Sequence, residues 1–110
     1  MWETRCIKVK LRDGSLSRVR EWAAELNRRA DEVLATLRDE GVVIESAFLD
    51  STSEGDFLIY YMKAENLERA REVGRTSAHP IDEYHHQFQR ETFESGKQLE
   101  LLVDFDRIKS

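Results

Sequence analysis

Apolar and basic residues alternate strictly along Ile7-Lys8-Val9-Lys10-Leu11-Arg12, the period-two pattern of a half-buried strand. Asp13-Gly14-Ser15 interrupts it, and Ser15 or Ser17 is suited to accept from the free N–H groups of a helix start. The next apolar set is Leu16, Val19, Trp22, Ala23, Leu26, Ala30, Val33, Leu34 and Leu37. At 100° per residue these positions fill one stripe about 120° wide, which predicts one long helix from Leu16 to Glu40. Gly41 is placed to cap its C-terminus.

Val42 to Asp50 reads as a second strand. Ser51 to Asp56 is a polar turn, and Phe57-Leu58-Ile59-Tyr60-Tyr61-Met62 is a third strand, apolar on both faces and so expected at the centre of a sheet. The short turn between these strands predicts an antiparallel hairpin. Asn66 is suited to cap a short helix carrying Leu67, Ala70 and Val73. Pro80 suits the first position of a further helix, where a missing N–H costs nothing. That helix lines up Ile81, Tyr84, His85, Phe88 and Thr92, and Glu94 to Lys97 is expected to end it. Leu99, Leu101, Val103 and Phe105, alternating with Glu100, Leu102, Asp104 and Asp106, predict the fourth strand.

The order is β-α-β-β-α(split)-β, the pattern of an α+β, ferredoxin-like sandwich with a four-stranded antiparallel sheet. Its 110 residues fit a single domain spanning 1–110. The first strand is central in this fold, yet one of its faces carries Cys6, Lys8 and Lys10. Glu100 and Asp104 are expected opposite these lysines as cross-strand ion pairs. With Tyr60, Met62 and Leu102 they would form a mixed face that the main helices leave bare. Burial of that face in a sheet-to-sheet homodimer is the expectation, since symmetric pairs are the commonest oligomers.

Charged residues make up 35% of the chain and the net charge is −5. A basic nucleic-acid footprint is therefore not expected: Arg18/Arg20, Arg28/Arg29 and Arg69/Arg71 are interleaved with acids and read as solvated helix faces. The single cysteine, Cys6, cannot form an internal disulfide. No leader or membrane span is expected, and a cytoplasmic location follows by default.

Leu37 to Val42, Phe48-Leu49-Asp50, Leu58 to Met62 with Glu65 and Leu67, and Ser77 to Asp82 with Tyr84-His85 resemble a family of small uncharacterised microbial proteins. The resemblance covers nearly the whole chain and implies a dimeric α/β barrel without an assigned activity. In layout the chain is similar to L-rhamnose mutarotase within the wider group, which also holds antibiotic-biosynthesis monooxygenases. The mutarotase pattern has a His and a Tyr in the first helix, where this chain offers Trp22.

All three histidines lie in one segment. His79, Asp82 and His86 follow i, i+3, i+7 spacing, but a polar helix face explains them better than a metal site, and His79 is suited to cap the helix before Pro80. His85 shares the apolar face with Tyr84 and Phe88. It is either a satisfied core histidine or a pocket acid–base group with a titration near neutrality. In the second case Tyr84, Tyr60 or Tyr61 would orient it or polarise a substrate oxygen, and Trp22 would form a stacking wall. Cys6 beside Lys8 lacks a paired base. No glycine run forms a phosphate-cradling loop, so no cofactor is expected. The expected catalytic pair is His85 and Tyr84, with Trp22, Tyr61, Phe88 and His79 binding ligand. The function is either a cofactor-independent small-molecule enzyme, isomerase- or oxygenase-like, or a non-catalytic dimeric binding module.

Overall fold

The computed structural model describes residues 2–107. Its elements run β1 (Glu3–Leu11), α1 (Leu16–Arg28), α2 (Ala30–Glu40), β2 (Val42–Thr52), β3 (Gly55–Ala64), α3 (Leu67–Arg75), α4 (Pro80–Thr92) and β4 (Phe93–Gln98). The sheet order is β2-β3-β1-β4, every neighbouring pair antiparallel. The apolar strands β1 and β3 are central, as their sequences require.

Antiparallel partners share a face, so the register sorts the side chains. Ile7 faces Tyr60 and Val9 faces Leu58, and this face meets the helices. Val9, Leu11 and Leu58 pack with Val19, Trp22 and Phe88 in the main core, and Val42, Ala64 and Ala70 form a second cluster under α3.

The helix predicted over 16–40 divides at Arg29, whose φ of −108° and ψ of 36° lie outside helical values. The Asn27 amide donates to the Ala23 carbonyl, competing with the backbone for that acceptor. Arg29 then clamps both halves through Glu25 and Glu32. Gly41 caps α2 at φ 72°, a left-handed conformation natural to glycine. Asn66 caps α3 by accepting from the Arg69 N–H, and Pro80 opens α4.

Three further expectations are corrected. The fourth strand is Phe93–Gln98, not the apolar alternation that follows it. Only Phe93 of β4 packs inward; the rest lies on a sheet edge, where no apolar pattern is demanded. After the Leu99 N–H bonds the Cys6 carbonyl, residues 100–106 leave the sheet. Tyr60 and Met62 do not belong to the open face, because they pair with Ile7 and Arg5 on the helix side. The open face instead carries Phe57, Ile59 and Tyr61 beside Cys6, Lys8 and Lys10. Finally, Lys8 and Lys10 lie near Asp50 and Glu94, not Glu100 and Asp104. Asp104 and Asp106 reach Lys63 at 2.9 and 2.6 Å, and Thr4 also donates to Asp104.

Candidate functional site

The helices do not close fully on the sheet. Between α2, α3 and α4 and the ends of β1, β2 and β3 lies a cavity of about 500 Å³. Glu40 reaches it from the last turn of α2, Glu45 from the helix-facing side of β2, and Asp82 from the first turn of α4. Arg5, Arg71, Arg75 and Arg90 also line it, with His85, His86 and Gln89 along α4. The wall thus brings three carboxylates together and sets cations around them.

Glu40 is the most perturbed of the three. Burial first, then the charges of Asp82, Glu45 and Asp39, push its carboxyl up to about 7. Its place at the negative end of the α2 dipole works in the same direction. Glu45 is also raised, by burial and by Asp82, with Arg5 opposing. Oδ2 of Asp82 is shielded from water and has no hydrogen-bond partner among the described residues. A group titrating near 7 beside two further carboxylates is equipped to hand a proton to a bound molecule and recover one.

His85 sits on the same wall with both ring nitrogens engaged. The Trp22 indole N–H donates to Nδ1 at 3.1 Å. Indole is only a donor, so Nδ1 presents its lone pair and the proton sits on Nε2. The Gln89 amide lies 3.1 Å from Nε2; its carbonyl oxygen is the atom that suits this proton. Burial, helped by the neighbouring His86, holds His85 down at about 4. It is a neutral, oriented part of the wall at physiological pH.

The remaining sequence candidates separate. Trp22 is buried and stacks on Phe88, with centroids 4.4 Å apart; Phe88 is sealed in the core. Tyr84 turns from the cavity toward Arg18, which donates to its hydroxyl. Tyr61 is on the opposite face of the sheet. His79 stands 2.7 Å from Asp39 in a separate hollow beside Pro80, and that bond raises its pKa. Among the described residues no group of three His, Cys, Asp or Glu side chains could hold a metal ion. Sequence reasoning missed Glu40, Glu45 and the arginines. One signal was present: Glu45 alternates with Ala47 and Leu49, a charge on the covered side of a strand.

Comparison with known proteins follows the same lines. One family model matches residues 2–110, nearly the entire chain. The chain belongs to the DUF6176 family of unknown function. No curated protein matches it. Among solved structures this DUF6176 chain is similar to an L-rhamnose mutarotase from Formosa agariphila, at 19% identity and TM-score 0.64, covering 94% of this chain and 99% of that one. A NIPSNAP-like domain protein from Burkholderia xenovorans is similar at 16% identity and TM-score 0.65, with 96% and 89% covered. A dimeric protein of unknown function and ferredoxin-like fold from Bacteroides fragilis gives 19% identity and TM-score 0.55, with 89% and 92% covered. At such identities the likeness is one of fold, and the fold of the DUF6176 chain is ferredoxin-like.

Proposed function

We propose that this protein is a small-molecule enzyme without organic cofactor, isomerase-like, that moves protons on a hydroxyl-bearing ligand held in the cavity beneath α2 and α4. The observation that carries this is the Glu40 carboxyl, pushed up to about 7 on a wall shared with Glu45 and Asp82. Protonated Glu40 gives its proton to a ligand oxygen while Glu45 or Asp82 takes one from a ligand hydroxyl, so the exchange leaves total charge unchanged. His85 and Trp22 orient that wall. A neighbour of the same fold is an L-rhamnose mutarotase, which makes reducing sugars the first substrates to try.

The test is anomer exchange in a panel of reducing sugars, followed by NMR saturation transfer. Catalysed exchange should fall as pH rises through about 7, as Glu40 loses its proton. Glu40→Gln should slow it by about 100-fold or more. An unaltered rate in the variant would sink the proposal.

A second reading, a dimeric binding module, is favoured by a different observation. The open sheet face carries Phe48, 60% exposed, and the segment after β4 presents Leu102 and Phe105 at 81% and 91%. So much apolar surface favours a partner, and one neighbour of this fold is described as dimeric. A homodimer through this face follows, and the free thiol of Cys6 fits a cytoplasmic setting. Sedimentation equilibrium should give twice the 12.9 kDa chain mass, and Tyr61→Glu or Leu102→Glu should reduce it. A monomer mass for the unaltered protein at micromolar concentration would count against the dimer.

A further inference from the structure

A second hollow, of about 340 Å³, opens beside the carboxylate cavity, and its walls are of another kind. Trp22, Ala30, Val33, Leu34, Ala47 and Tyr60 line it. The two hollows adjoin: Glu45 borders both, as do Leu26, Val33 and Leu37. One of them sets three carboxylates among four arginines. The other is aliphatic with aromatic edges and reaches solvent past Leu34, which is 51% exposed.

Near the junction a polar group lacks a bond. The Tyr60 hydroxyl is shielded from water and has no hydrogen-bond partner among the described residues. A buried hydroxyl left so is unfavourable, and an acceptor brought in by a ligand would complete it once the ring edge adjusts.

We infer that the physiological ligand is amphipathic, with a compact hydroxyl-bearing head among Glu40, Glu45 and Asp82 and an unbranched apolar tail along α1 and α2 in the second hollow. The head assignment rests on the proposed proton-transfer function; the tail assignment rests on the second hollow alone. The tail lies against flexible aliphatic walls, so its affinity grows with length.

The experiment is a titration of the full chain with methyl, butyl, hexyl and octyl β-glucosides below their micelle concentrations, read by calorimetry. Each added methylene should tighten binding by about 3- to 4-fold until the hollow is filled. Ala30→Leu, which narrows the hollow, should weaken the dependence on chain length and leave the methyl glucoside unaffected. Leu34→Glu, at the exposed rim, should do the same without disturbing the core. Equal affinity along the series, or no binding by any member, overturns the inference. So does a tail dependence that survives both substitutions, which would mark general surface adsorption. Loss of dimer mass on adding octyl glucoside, with Ala30→Leu still sensitive, would mean that a second copy fills the hollow, and also overturns it. Tail-dependent binding without catalysed anomer exchange would sustain this inference while removing the catalytic one; exchange with no tail dependence would do the reverse.

Discussion

Glu40 ends α2 with its carboxyl lying over Gly74, so closely that a Cβ at position 74 would stand 2.7 Å from its Oε2. That approach is why position 74 suits glycine although its backbone is unstrained. Gly74→Ala should displace the carboxyl toward solvent and bring its titration down toward 4.5, the ordinary value, as read by carbon NMR across a pH series. The raised pKa has a stability consequence. Between 4.5 and about 7 the folded state holds a proton that the unfolded chain has released. Stability from Glu40 is therefore full below 4.5 and is lost as pH rises through about 7. A shift of that size corresponds to ~3 kcal/mol for a fully buried group; partial exposure brings it to ~1–2 kcal/mol. Glu40→Gln should accordingly stabilise the fold by about that amount at pH 8 and hardly at all at pH 4, measured by urea unfolding. The same substitution should slow any catalysed proton exchange, so stability and activity move in opposite directions at one residue. None of this was legible from Glu40 in the sequence, where it is simply the last residue before a capping glycine.

At the scale of elements, strongly patterned segments were legible and weakly patterned ones were not. Residues 57–62 read as a buried central strand because side chains that are apolar on both faces need cover on both sides. Residues 93–98 were read as the end of a helix because an edge strand imposes no pattern on its sequence. The neighbouring alternation at 99–106 took its place, although there the apolar residues face solvent and the acidic ones face Lys63. Lys63 is 1% exposed and makes charge-assisted bonds to Asp104 and Asp106, which raise its pKa and depend on its charge. Replacing both acids with Asn should free the segment without unfolding the sheet, seen as faster amide exchange confined to residues near Lys63. The caps are ordinary by comparison. Asn66→Ala removes the acceptor for the Arg69 N–H and should cost about 1 kcal/mol in denaturant unfolding.

Across the whole molecule, His85 and Glu40 oppose each other. His85 is held at about 4 against an ordinary 6.5, so the unfolded chain takes up its proton first. Stability from His85 is present above 6.5 and is lost as pH falls toward 4, by ~3 kcal/mol at most. Glu40 gains over much of the same interval. The unaltered protein should therefore lose stability only gently on acidification between pH 6.5 and 4.5, because Glu40 offsets part of the His85 loss. Glu40→Gln should expose the His85 slope, with stability falling steadily as the medium is acidified. A flat profile in the variant would mean that His85 is protonated as easily in the fold as outside it. The two groups share one cavity wall because α4 lies across the end of α2, a relation no local pattern records. Among the described residues no helix is long and apolar enough to cross a membrane.

The sequence by itself determined the order of the elements, the two central strands, the capping at Gly41, Asn66 and Pro80, and the apolar stripe of α4. Each of these is set by contacts or backbone preferences within a few residues. Tertiary structure decided the rest. Tyr60 and Tyr61 are adjacent and chemically alike, and only strand register sends one under the helices and the other to the open face. His85 became an oriented neutral group because Trp22, 63 positions away, occupies its Nδ1. The carboxylate wall was assembled from the end of α2, the start of β2 and the start of α4. Charges brought together from distant positions perturb one another only once the chain has folded, so their chemistry exists only in three dimensions.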